Sequence, residues 1–337
     1  MQAQPRSIEA MRREIEGQVE GLREYSRYLK VSIKPVSVAA EDIIFAGAGD
    51  SYSAALWAHE LSRGRSSAYD PFELGLKPSW ARHKQVFILS VTGRTRANLF
   101  LARRLKGVAA KRVAITSSLR SELANECDET ILLQYRHGEA LTSGTAGYTA
   151  SLLACSYVLN HMPGEIRLEH NLHARTLADH LEEKSLVNRD LQAWTLQQRK
   201  LITHDGIVLF IGSGIDYPLA QYGALKFNEV LGSKVFSSYP EQIGHSLLFS
   251  LNTNKDRIVI IDPSSNRRLR ETNQVLSDIG FSIYELSVPP QNPLSRTMEV
   301  AFDTQILVYN LARDQGMEEC VFLSDEVKLK TSNHLIY

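Results

Sequence analysis

Hydroxyl side chains set beside glycines, at two places where an apolar run ends, are the first chemistry this sequence offers. Gly47-Ala48-Gly49-Asp50-Ser51-Tyr52-Ser53 follows the apolar run Ile43-Ile44-Phe45-Ala46. The glycines permit a sharp turn and a close backbone approach. Ser51 and Ser53 then place hydroxyls beside the N–H groups of a helix start, an arrangement that suits an anion and most naturally phosphate. Ser90-Val91-Thr92-Gly93-Arg94-Thr95 follows Val86-Phe87-Ile88-Leu89 in the same manner. A Gly-x-Gly after a strand, with Asp70 about twenty residues on, also fits a dinucleotide fold. The third glycine of that fingerprint is replaced by Tyr52, whose bulk opposes close helix–strand packing.

These turns need strands and helices to hold them. Between residues 43 and 162, strand patterns at 43–46, 86–90, 112–116 and 130–133 alternate with helical ones at 53–62, 97–105, 121–127 and 145–160. That alternation implies a parallel sheet with helices on both faces, and open sheets of this kind bind ligands at the carboxyl ends of their strands. Met11, Ile15, Leu22 and Leu29 recur at helical spacing and predict an amphipathic helix ahead of the sheet. After Pro163-Gly164 comes a long charged stretch, helix-compatible over 170–200, and then the alternation resumes. Strands are expected at 207–211, 234–236, 257–261 and 281–286, and helices after Gly214, over 267–279 and over 304–315. Residues 317–337 read as a tail without a clear element.

The second half repeats the first. Gly212-Ser213-Gly214-Ile215-Asp216-Tyr217 aligns with Gly47-Ala48-Gly49-Asp50-Ser51-Tyr52, each after an apolar strand and before an Ala/Leu-rich helix. Asp216 stands where the first copy has Ser51, and Asp262-Pro263-Ser264-Ser265 stands where it has the Ser90 turn. Carboxylates there repel phosphate, so only the first copy is expected to keep the anion site.

Composition narrows the class. The chain has 337 residues, with 38 Lys plus Arg against 38 Asp plus Glu, and so no basic excess to draw it to nucleic acid. Arg12-Arg13, Arg103-Arg104 and Arg267-Arg268 read as solvated helix faces. Cys127, Cys155 and Cys320 lack metal-ligand spacing and suit reduced thiols in a cytoplasmic protein. The first residues are polar and lack the apolar core of a signal peptide, and no apolar run approaches the roughly 20 residues of a membrane span. The expectation is a cytoplasmic protein with no membrane or nucleic-acid partner and no metal or other cofactor.

Together the motifs resemble those of the double sugar-isomerase (SIS) domain proteins, above all the isomerase half of glucosamine-6-phosphate synthase and the archaeal stand-alone glucosamine-6-phosphate deaminases. Met11-Arg12-Arg13-Glu14-Ile15-Glu16-Gly17-Gln18-Val19-Glu20 is similar to the leading helix of that family, and Gly49-Asp50-Ser51-Tyr52 to its first phosphate loop. Ser90-Val91-Thr92-Gly93-Arg94-Thr95 is similar to its Ser-x-Ser-Gly-x-Thr motif, and Gly212–Ala220 with Gly223–Glu229 to the start of its second domain. The resemblance implies two tandem SIS domains, each a parallel sheet flanked by helices in a flavodoxin-like three-layer sandwich. It implies an organisation of 1–40 as a helical segment, 41–165 and 206–316 as the two domains, 166–205 as a helical linker and 317–337 as a tail. It further implies phosphate binding by Gly49, Ser51, Ser90, Thr92, Gly93 and Thr95, an acid/base role for Glu229, and ring opening by His245, often across a homodimer with a shared active site. Lys328 and Lys330 are positional candidates for a Schiff-base lysine. No glutaminase domain with a nucleophilic cysteine is expected ahead of the helix, so glutamine is not the expected direct nitrogen donor.

The chemistry implied is aldose–ketose isomerisation or deamination of glucosamine 6-phosphate and fructose 6-phosphate, in amino sugar metabolism. One carboxylate can move a proton between C1 and C2 through an enediol or enolamine if it sits above that bond. A phosphoglucose/phosphomannose isomerase of the same fold, for which Asn228-Glu229 resembles the working pair, stays open as a second reading. A non-catalytic sugar-phosphate-binding protein is the third.

Overall fold

Ile43–Gly47 forms β1, buried along its whole length, as a continuous rather than alternating apolar run demands. The computed structural model describes residues 6–33, 38–160, 206–288 and 292–337. β1 is joined by β2 (Ser67–Tyr69), β3 (Gln85–Leu89), β4 (Lys111–Thr116) and β5 (Glu129–Leu132). All neighbours are parallel, in the order β2-β1-β3-β4-β5. This is the flavodoxin-type order, whose switch point lies between β1 and β3. On one face Ile44, Ala46, Val86 and Ile88 pack with Leu99, Leu101 and Ala102 of the helix Arg96–Arg104. The helix Asp50–Leu61 packs against Ala146–Asn160, which is buried all round as far as Leu159. The described part of this first unit comprises residues 17–33, 38–136, 144–160 and 326–337.

A second unit takes residues 6–16, 137–143, 206–288 and 292–325 of those described. Its strands β6 (Ile207–Ile211), β7 (Lys234–Ser238), β8 (Arg257–Ile261) and β9 (Ser282–Leu286) are again parallel, in the order β7-β6-β8-β9. Four strands thus repeat the order of the first sheet, with β6 and β8 at the equivalent switch point. The α/β architecture of two parallel sheets flanked by helices, expected from the sequence, is the observed one.

Several elements differ from the sequence reading. β2 is an edge strand of three residues, too short to show alternation. The helix expected over 304–315 spans Pro293–Asp314. Proline at its start and the buried polar residues Arg296, Thr297 and Glu299 mask its first half, although Asn292 caps it by accepting from the Ser295 N–H at 3.0 Å. The expected tail contains the helix Glu326–Ile336, which has no buried residue and therefore no apolar stripe to read. The leading helix is Ser7–Ser32, with Met11, Ile15, Leu22 and Leu29 buried. The expected linker over 166–205 lies outside the described residues. Among the described residues no helix is long and apolar enough to cross a membrane.

Candidate functional site

The two hydroxyl-bearing turns leave adjacent strands at the switch point of the first sheet, since Gly47 and Leu89 are register partners on β1 and β3. Gly47 is required by packing, because a Cβ there would collide with the Ser51 backbone carbonyl. Gly49 is the N-cap of Asp50–Leu61, at φ 58°. Ser51 is buried in the first turn of that helix, and its hydroxyl has no hydrogen-bond partner among the described residues. In the second turn Ser90 Oγ accepts the Gly93 N–H at 3.1 Å and lies 3.3 Å from Thr95 Oγ1. Gly93 has φ 64°, and a side chain there would run into the Ser121 and Thr116 hydroxyls.

Thr95 occupies the N-cap of Arg96–Arg104 without making a side-chain cap. A threonine there ordinarily accepts an N–H of the first turn; this one faces Ser90 instead. Thr92 is exposed, and its Oγ1 accepts only a long bond, 3.4 Å, from the Arg94 N–H. The loop is therefore a cluster of hydroxyls with spare hydrogen-bonding capacity above a parallel sheet, which can receive an oxyanion. Among the described residues no cluster of His, Cys, Asp and Glu is arranged to hold a metal ion.

The corresponding turns of the second sheet hold a cation of the protein's own. Arg296 lies between the two carboxylates that the duplication singled out. Its Nη1 donates to Asp216 Oδ1 at 2.5 Å, and its Nη2 and Nε donate to Asp262 Oδ2 at 2.9 and 3.0 Å. Asp216, Asp262 and Arg296 are all buried. Asp262 adopts φ 41°, a left-handed conformation uncommon outside glycine. The second copy is thus the charge inverse of the first, with carboxylates around a guanidinium in place of hydroxyls suited to an anion.

Glu229 lies in the second unit. The helix Tyr217–Lys226 continues without a break into a π-helical turn, Phe227–Leu231, which ends at Gly232 in the left-handed conformation. Such turns are rare and concentrate at functional sites. Asn228 is fastened to β7: its Nδ2 donates to Val235 O at 3.0 Å and its Oδ1 accepts the Val235 N–H at 3.2 Å. Lys226, fully buried, donates to Glu229 Oε2 at 2.7 Å and to Ser143 Oγ at 2.8 Å, and Ser143 Oγ donates to the same Oε2 at 2.6 Å. The Glu229 side chain is 38% exposed. Among the described residues its Oε1 accepts no hydrogen bond, so one oxygen is anchored and the other is presented.

The remaining candidates lie on other elements. His245 ends the helix Pro240–His245 in the second unit, 72% exposed, with Nε2 3.5 Å from Glu241. Lys328 and Lys330 are exposed on Glu326–Ile336 in the first unit. That helix is fastened beside the Ser90–Thr95 turn: Arg96 donates to the His334 carbonyl at 2.7 Å and to the Tyr337 carbonyl, and the Arg94 guanidinium lies 5.4 Å from the Tyr337 ring centroid. Sequence reasoning missed Lys226 and Ser143. Lys226 was within reach, since an i,i+3 spacing places it beside Glu229. Ser143, 86 residues from Glu229, left no signal.

The comparison with known families marks the same part of the chain as the hydroxyl loop. The model of the SIS domain family matches residues 38–160, the stretch that contains the five-stranded sheet. The chain is 28% identical over 204 residues to glutamine–fructose-6-phosphate aminotransferase (isomerizing) of Streptococcus pyogenes, a match covering 57% of this chain and 33% of that protein. It is 25% identical over 281 residues to the enzyme of the same name from Sulfurisphaera tokodaii, covering 81% of this chain and 45% of the relative. The chain thus spans between a third and a half of the length of these two relatives. Among solved structures it resembles glucosamine-6-phosphate deaminase from Thermotoga maritima, with a TM-score of 0.68 and 18% identity over 91% of this chain and 95% of that one. At that identity the likeness is one of fold.

Proposed function

We propose that this protein is an aldose–ketose isomerase or deaminase of hexose phosphates, acting on glucosamine 6-phosphate and fructose 6-phosphate through an enediol or enolamine. The observation that carries the reading is the Glu229 carboxylate, fixed through Oε2 and open at Oε1, as a base that must take a proton from one carbon and return it to the next requires. The hydroxyl loop of Gly49, Ser51, Ser90, Thr92, Gly93 and Thr95 holds the phosphate in this reading, and its binding energy orients C1 and C2. The second sheet is a second SIS domain whose own cradle is closed by Arg296. The names of the relatives, which pair fructose 6-phosphate with an amino group, support the choice of sugar. Asn228 counts against the phosphoglucose-isomerase reading, because its amide is engaged by the Val235 peptide.

The test is proton NMR in deuterium oxide with glucosamine 6-phosphate and, separately, glucose 6-phosphate. Deuterium entering C2 of the amino sugar with ammonia released identifies a deaminase, and interconversion without ammonia an isomerase. Binding without exchange on either sugar overturns the catalytic reading in favour of a sensor.

The phosphate assignment has its own test. A hydrogen bond to a charged group contributes about 1.5–3 kcal/mol, so Ser51→Ala or Thr92→Ala should weaken fructose 6-phosphate binding roughly 10- to 100-fold, measured by calorimetry, with thermal stability retained. Unchanged affinity in both variants would remove the phosphate from this loop. We further propose that His245 serves the site of a second copy in a homodimer. Mixing inactive His245→Ala and Glu229→Gln chains should then restore part of the activity, and failure despite demonstrated subunit exchange would place both residues in one chain's site.

A further inference from the structure

Ser143, Lys226 and Glu229 close a ring of three hydrogen bonds in which the serine hydroxyl touches both charged groups. The direction of the ring is fixed by its chemistry. The ammonium has no acceptor capacity, so Ser143 Oγ accepts from Lys226 and turns its own proton to the carboxylate. We propose that Ser143 is a positioning residue for Glu229, anchoring Oε2 from outside the Glu229 helix so that Oε1 is the oxygen that meets the sugar. This rests on the reading of Glu229 as the base.

The reason two anchors are needed is torsional. The terminal torsion of a glutamate is broad and roughly two-fold, so the two oxygens exchange readily. Lys226 approaches along the helix axis, from three residues earlier, and by itself steadies one oxygen from one direction. Ser143 reaches the same oxygen from a distant part of the chain, 86 residues away. Two donors converging on Oε2 from different backbones fix the plane of the carboxylate as well as its distance.

The experiment compares Ser143→Ala, Ser143→Thr and Glu229→Gln, following C2 exchange of glucosamine 6-phosphate as a function of substrate concentration, so that kcat and KM are read separately. Ser143→Ala is expected to lower kcat about tenfold with KM unchanged. Ser143→Thr, which keeps the hydroxyl, should return kcat to the wild-type value. A merely structural serine would lower melting temperature and active fraction while leaving kcat per folded site unchanged. If Ser143→Ala does not fold, Ser143→Cys supplies the same reading, because a thiol keeps the volume and is a weak donor. A kcat identical to wild type in the Ala or Cys variant, with Glu229→Gln inactive, overturns the positioning role and leaves the base assignment standing. Wild-type exchange in Glu229→Gln overturns both.

Discussion

Glu229→Gln is expected to lower turnover by about 10²–10⁴-fold, the usual loss when a positioned acid/base is removed, while phosphosugar affinity is retained. Glutamine is close to glutamate in shape, and its amide oxygen can accept from Lys226 and Ser143 where Oε2 does now. Lys226 is fully buried and keeps Ser143 as an acceptor, so the variant should fold. What it loses is the ability to take a proton at the presented atom. Solvent deuterium should therefore enter C2 with the wild-type protein and not with the variant, and fructose 6-phosphate should titrate both alike, because the proposed phosphate contacts belong to the hydroxyl loop. Exchange at the wild-type rate in Glu229→Gln would sink the assigned mechanism.

Arg296→Ala should be the most destabilising substitution in the second unit. It leaves Asp216 and Asp262, both buried, without the guanidinium they share. Breaking a buried ion pair from one side costs about 3–5 kcal/mol, because a charge is left uncompensated. Chemical denaturation should show this as a lower midpoint for the transition of that unit. The triple variant Arg296→Met, Asp216→Asn, Asp262→Asn should recover much of the loss, since neutralising all the partners can be close to neutral overall.

The pH dependence gives an independent sign. Burial pushes the Asp216 carboxyl above its ordinary range, and hydrogen bonding and charge from Arg296 oppose that push. Removing Arg296 raises it further. A group whose folded value exceeds its unfolded value binds protons preferentially in the folded state, so stability rises as pH falls through the folded value towards the unfolded one, about 3.9. The stability deficit of Arg296→Ala should therefore shrink between neutral pH and about pH 4. A deficit that is constant across that range would mean that the stranded carboxylates are not its cause.

The sheets were legible because parallel strands buried on both faces are written as local apolar runs, and β1, β3, β6 and β8 each carry one. The hydroxyl turns were legible for the same reason, being contiguous with those strands, and the inversion at Asp216 and Asp262 could be read from the alignment of the two halves. What could not be read was the occupant of the second cradle. Arg296 lies 80 residues from Asp216 and 34 from Asp262, in a helix whose first half carries buried polar groups and so lacks apolar periodicity. Ser143 was hidden likewise, since a hydroxyl that bridges two charges has no local pattern. Helix Glu326–Ile336 escaped because it buries nothing.

The π-helical turn makes residue count part of the chemistry. A stretch bonded i→i+5 accommodates one residue more than an α-helix between the same fixed ends, and here the ends are fixed by Lys226 and by Asn228 with Gly232. Losing Phe227 alone would let the chain run on as a regular α-helix, in which each residue turns about 100°. Glu229 would then follow Lys226 by two positions instead of three, and side chains two apart do not face each other. Every residue named in the Ser143–Lys226–Glu229 ring would still be present and the ring would be open. In chains of this kind, an aligned lysine and glutamate therefore imply the same arrangement only where the spacing between them is also preserved.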